Sequence, residues 1–150
     1  SSAASDVYKR QVYTYREFFR REGIELTYQD CPEEMLPISG DPERLRQVFC
    51  NLLDNAAKHG GSGKRIDVAV AREGEEAVIR IRDYGPGIPP EELPHLFDRY
   101  YRARQDAGKT GTGLGLSITK AILQQHDFPF GVNSTVGKGS TFWFEMKAPQ

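Results

Sequence analysis

Three stretches of the chain carry residue types that could handle a flat ligand with a charged tail. The first is NLLDNAAKH, residues 51–59. At about 100° per residue of a helix, Asn51, Asn55 and Lys58 share a stripe about 60° wide. Two amides and an ammonium on one helical edge could hold a hydrated Mg2+ and the phosphates it bridges, because that ion prefers hard oxygen ligands and keeps several waters. The second is DYGPGIP, residues 83–89. At the end of a strand, the Asp83 carboxylate could accept a hydrogen bond from an exocyclic amine. Gly85 and Gly87 would let a flat ligand approach the backbone, and Ile88 would supply an apolar wall. The third is GTGLGLSI, residues 111–118, where glycines lead into a helix whose first N–H groups can bind phosphate. Arg99, Arg102, Arg104 and Lys109 in the preceding loop add positive charge.

Taken singly, each stretch also fits an ordinary structural part: the solvated flank of an amphipathic helix, a Gly/Pro turn, and a hinge before a helix. Two lookalikes are rejected. ARQDAGKT at 103–110 matches a loose phosphate-loop pattern, but neither a buried strand before it nor a helix opening after it is in place. The glycine run at 111–115 lacks the spacing, the preceding strand and the βαβ unit of a dinucleotide fingerprint. His59, His95 and His126 have no metal-site spacing, and His95 and His126 read as structural or surface residues.

The elements that must position these residues are readable from periodicity. Val12, Tyr15, Phe18 and Phe19 recur at helical spacing up to Gly23, and Ile24, Leu26 and Tyr28 alternate as a strand. A short edge strand is expected at 35–38. Asp41 is a natural N-cap with Pro42 at the first helical position, and Leu45, Val48, Phe49, Leu52, Leu53 and Ala56 form one apolar face. Two strands follow, around Ile66–Val70 and Ile79–Ile81, joined by a turn at 73–76. A short helix is predicted from about Pro90 to Phe97, a long functional loop over 98–112, a helix through Leu114–Ile122 and a last strand over Thr141–Met146. Residues 1–11 (SSAASDVYKRQ) resemble a non-native or disordered leader and are set aside, leaving one domain over 12–150. Helices and strands mix without βαβ alternation, which favours α+β: helices on one face of a mixed, largely antiparallel sheet.

Composition narrows the class without choosing a function. The chain has 150 residues, 38% hydrophobic and 27% charged, with a formal net charge of −1. That balance offers no general attraction to nucleic acid or to an anionic membrane. No apolar run approaches the roughly 18–20 residues of a membrane span, and Cys31 and Cys50 form no CxxC pair. A cytoplasmic setting is expected.

The order of the pieces is more specific than any one of them. NLLDNAAKH, DYGPGIP, LFDRYYR, GTGLGLSI and GKGSTFWF resemble the N, G1, F, G2 and final glycine boxes of sensor histidine kinases. The resemblance spans roughly residues 12–148. It implies their catalytic and ATP-binding domain, a two-layer α/β sandwich of the Bergerat type, within the superfamily shared with type II topoisomerases, Hsp90 and MutL. It further implies that Asn55 is the main Mg2+ ligand, assisted by Asn51, and that Lys58 contacts phosphate. Asp83 would read the adenine amine, aided through water by Thr141, with Gly85, Gly87 and Ile88 around the base and His59 stacking on it. Phe97 would anchor a lid, Arg99 or Arg102 would meet the γ-phosphate, and Gly111, Thr112, Gly113, Leu114 and Gly115 would close over the phosphates.

The resemblance implies ATP and Mg2+ as ligands and a γ-phosphoryl transfer to a histidine on a phosphoacceptor and dimerisation domain, with a response regulator downstream. None of the three histidines stands in a phosphoacceptor motif, so that domain is expected outside this chain, which alone would be monomeric. Membrane attachment of the parent stays open. His59 departs from the family's usual Tyr or Phe, and HDFPFGV at 126–132 from its commoner His-Gly-Gly stretch. Hydrolytic relatives carry a Glu four residues before the metal Asn, where this chain has Asn51, so water loses its obvious base. Two further alternatives are a non-catalytic nucleotide-binding module and a protein serine kinase of the anti-sigma type.

Overall fold

The computed structural model describes residues 4–31, 38–101 and 114–148. Helix α1 (Ala4–Arg21) leads into strand β1 (Glu25–Gln29), and helix α2 (Pro42–Gly60) into the hairpin of β2 (Arg65–Glu73) and β3 (Glu76–Asp83). Helix α3 (Gly115–Gln125) precedes β4 (Phe130–Thr135) and β5 (Gly139–Lys147). The strands form one sheet in the order β1-β2-β3-β5-β4. The β1–β2 pair is parallel and the other three pairs are antiparallel. This is the mixed, largely antiparallel sheet expected from sequence.

One face of the sheet is apolar. Leu26, Ile66, Val68, Val70, Ile79, Ile81, Phe142, Phe144 and Met146 are buried, and they meet the six apolar residues of α2 named above, all of them buried too. Burying a side chain such as Phe49 or Leu53 completely contributes roughly 1.5–3 kcal/mol. Asp41 caps α2 as its sequence suggests, its Oδ1 accepting from the N–H groups of Glu43 and Arg44 at 3.0 and 3.3 Å.

Four features differ from the sequence reading or extend it. Helix α1 starts at Ala4, so residues 4–11 of the stretch set aside as a non-native or disordered leader are helical. Tyr8 extends the Val12–Tyr15–Phe19 face by one turn, and its ring lies 4.6 Å from that of Phe49. The helix predicted over 90–97 is a chain of turns with a single 3-10 turn at Leu93–His95. Pro94 has no N–H to give an α-helical bond, and the segment uses i→i+3 bonds such as His95 N–H to Glu92 C=O. Strand β4 was not anticipated, because Pro129 and Gly131 interrupt any alternation. Among the described residues it is an edge strand, paired with β5 alone. The expected edge strand at 35–38 lies outside the described residues except Ile38, as does the loop beyond Tyr101.

Candidate functional site

The apolar face of α2 is fixed against the sheet, and this sets where its polar edge points. Asn51, Asn55, Lys58 and His59 are all half-buried along that edge. The Asn51 amide donates to the Gly115 carbonyl at 3.4 Å and to Thr119 Oγ1 at 3.5 Å. The edge of α2 therefore runs beside the N-terminus of α3, and the structure brings Asn51 and Gly115 together. Leu114 precedes that helix, its carbonyl accepting from Ser117 Oγ and the Ile118 N–H, both at 2.9 Å.

Asp83 ends β3 and is 4% exposed. Burial pushes its carboxyl above the usual carboxylate range, opposed by the N–H groups of Gly85 and Ser140 and by nearby His59 and Arg82. The Gly85 N–H lies 3.0 Å from Asp83 Oδ1. A buried acceptor with so few partners suits an amine donor on a ligand. The turn after it is wedged against the β4–β5 hairpin. The Gly137 N–H donates to the Pro86 carbonyl at 2.7 Å, and the Ile88 N–H donates to Ser134 Oγ at 2.8 Å. Gly87 has φ +77°, and a Cβ there would come within 2.4 Å of the Thr135 carbonyl oxygen. Ile88 is buried beside this turn.

Thr141 needs correction. It pairs with Arg82 in the β3–β5 register, and alternate residues of a strand face opposite sides. Phe142, Phe144 and Met146 are buried against the helices, so Thr141 shares the outer face with Arg82, away from Asp83. The hydroxyl on Asp83's side is that of Ser140, 5% exposed and 2.7 Å from Ser134 Oγ. Counting back by twos from Phe142 would have found Ser140 in the sequence.

Phe97 packs edge-on against Phe130 and Phe142, with ring centroids 5.1 and 6.1 Å apart, and fastens the segment after the 3-10 turn to the sheet. Arg99 is exposed, its guanidinium donating to the Tyr100 hydroxyl at 3.1 Å. Arg102, Gly111, Thr112 and Gly113 lie outside the described residues. Among the described residues no three His, Cys, Asp or Glu side chains converge as a metal site. The amide edge of Asn51 and Asn55 still fits Mg2+, which takes one or two protein oxygens when phosphates and water complete its shell.

Comparison with known proteins gives a consistent picture. A model of the family described as histidine kinase-, DNA gyrase B-, and HSP90-like ATPase matches residues 40–150. Sensor protein SrrB of Staphylococcus aureus strain NCTC 8325 / PS 47 is 37% identical over 138 residues, which cover 91% of this chain and 23% of SrrB. This chain thus spans under a quarter of that relative. The mycobacterial sensor histidine kinase MprB superposes with a TM-score of 0.81 at 30% identity, over 97% of this chain and 96% of that one. Full-length ShkA, solved in complex with AMPPNP, gives a TM-score of 0.77 at 28% identity over 93% of this chain and 29% of its own. Among the described residues, three α-helices lie on a five-stranded mixed sheet, the Bergerat arrangement of these neighbours.

Proposed function

This chain belongs to the family of histidine kinase-, DNA gyrase B- and HSP90-like ATPases, and from that premise we propose that it binds Mg-ATP and donates the γ-phosphoryl group to a histidine on a separate phosphoacceptor and dimerisation domain. The setting is two-component signalling, with a response regulator as the downstream acceptor. The observation that carries the reading is Asp83, a buried carboxylate at a strand end, set beside the turn bearing Gly87 and Ile88.

In this reading Asp83 accepts from the adenine amine, Gly85, Gly87 and Ile88 border the base, and His59 stacks on it. Ser140, facing Asp83's side, takes the supporting role that Thr141 cannot. Lys58 meets the phosphates together with Arg99 or Arg102, and Gly111, Thr112, Gly113, Leu114 and Gly115 add further phosphate contacts. Asn55, with Asn51 beside it, would hold Mg2+, which supplies charge neutralisation across the phosphates when bound. Phosphoryl transfer is mostly positioning and charge stabilisation, so these residues need supply no covalent chemistry. The attacking nucleophile is the histidine of the other domain.

Asn51 also bears on hydrolysis. Its amide is turned to Gly115 and Thr119 and is no base, so a donor of phosphoryl groups to protein is favoured over a hydrolase. Calorimetric titration with ATP, with and without Mg2+, tests the reading. Micromolar binding is expected, lost in Asp83→Asn and no longer dependent on Mg2+ in Asn55→Ala. Binding without transfer to an added phosphoacceptor domain would leave a regulatory nucleotide module, and no binding by the folded chain would sink the proposal.

A further inference from the structure

Tyr84 follows Asp83 directly, yet its side chain lies on the opposite, outer side of the sheet. There its hydroxyl donates to Asp67 Oδ2. The other oxygen of Asp67 accepts from Thr27 Oγ1 at 2.6 Å and from Arg65 Nε at 2.8 Å. The Arg82 guanidinium stands 4.4 Å from the centre of the Tyr84 ring, and that of Arg65 stands 5.8 Å from it. Burial alone would raise the Asp67 carboxyl, but the bonds from Thr27, Tyr84 and Arg65 hold it below the usual carboxylate range. One side-chain cluster thus joins β1, β2, β3 and the first residue of the turn.

Its place in the ladder gives the cluster a consequence. Pairing between β2 and β3 ends at Ile66 and Asp83, and pairing between β3 and β5 ends at Arg82 and Thr141. Asp83 is therefore the last residue of β3 held by strand pairing, and the next link from the turn back to β2 is the Tyr84 hydroxyl on Asp67. We propose that Tyr84, held by Asp67, is a positioning residue for base recognition, fixing from the outer face the strand end that aims the Asp83 carboxylate. This rests on the reading of Asp83 as the acceptor for the adenine amine. Tyr84 itself would touch no ligand.

The test compares ATP with inosine triphosphate, which lacks the amine, by calorimetric titration of each nucleotide on the whole 150-residue chain. In Tyr84→Phe the preference for ATP is expected to fall about tenfold, equivalent to about 1.4 kcal/mol, with inosine triphosphate affinity unchanged. Asp67→Ala removes the same bond from the other side. The double variant should lose little more of the preference than Asp67→Ala alone, because the Tyr84–Asp67 bond is already gone in that single variant. A Tyr84→Phe protein that keeps the full preference overturns the proposal. So does an equal loss for both nucleotides, which would report general loosening. Asp83→Asn separates the two levels. If it keeps the preference, the adenine reading fails; if it loses the preference while Tyr84→Phe keeps it, only the role of Tyr84 fails.

Discussion

The Asp83 carboxyl lies against the bare Cα of Gly60: a Cβ built on Gly60 would stand 2.1 Å from Asp83 Cγ. The end of α2 and the end of β3 are thereby in backbone-to-side-chain contact that any larger residue would break. Gly60→Ala is expected to push the Asp83 side chain out of place and destabilise the protein by about 1–3 kcal/mol, the usual cost of overpacking. Urea titration checks the stability, and loss of ATP binding at a temperature where the variant is still folded checks the displacement.

Asp83→Asn should separate stability from binding. The folded-state pKa of Asp83 lies above its ordinary 3.8, so the native state binds the proton more tightly than the unfolded chain does. At neutral pH the buried charge therefore costs stability. That cost is relieved as pH falls through the raised folded value. The Asn variant is expected to be at least as stable as the parent at pH 7, with the difference shrinking on acidification, while ATP binding is lost. ATP affinity of the parent should begin to fall at a pH above the ordinary carboxylate range. Chemical denaturation and calorimetry, run from neutral pH down into the ordinary carboxylate range, measure both.

Asp67 should behave in the opposite sense. Its folded pKa is lowered, so its contribution is present above the ordinary 3.8 and is lost as pH falls through the lowered folded value. Asp67→Ala should therefore destabilise most near neutral pH and approach the parent in strong acid, readable from urea midpoints.

His126 braces two helices. Its Nδ1 faces the Ile122 carbonyl at 2.8 Å and must donate, while its Nε2 accepts from the Asp41 N–H at 3.0 Å. The neutral Nδ1–H tautomer satisfies both, linking the end of α3 to the cap of α2. His126→Phe is expected to cost about 1–3 kcal/mol by leaving the Asp41 N–H without this acceptor. ATP affinity of the folded protein should be unchanged, since the histidine stands at the far end of α3 from Gly115.

Phe97→Ala removes a ring wedged against Phe130 and Phe142. A loss of about 1–3 kcal/mol is expected for these half-buried edge-on contacts, with faster protease cleavage after Arg99. Unaltered cleavage would show that the ring does not fasten this segment.

Local signals in the sequence proved dependable where one element decides the outcome. The Asp41–Pro42 cap and the apolar stripe of α2 were legible, and so was the polar edge holding Asn51 and Asn55. Pro94 carried the signal against a helix over 90–97, outweighed there by the acidic residues before it. Thr141 was misplaced because a glycine-box comparison fixes neighbourhood and leaves the face undecided; strand alternation decides the face and selects Ser140. The Tyr84–Asp67 bond could not be read from sequence at all. It joins residues on two strands, and its register exists only once the sheet has formed.

Strand β5 fills the gap between β3 and β4, so the final strand of the described fold is also an interior one. During synthesis β4 has no strand partner, and the edge of β3 stays open, until the residues through Lys147 have emerged. The Ser140 N–H that reaches Asp83 arrives with that same strand. Earlier stretches can collapse around α2, but non-local pairing of this kind carries a loop-closure cost before it gives any reward. In the proposed reading base recognition therefore waits for β5, and a ribosome stalled before that strand would display an apolar, unclosed sheet edge to the chaperones around it.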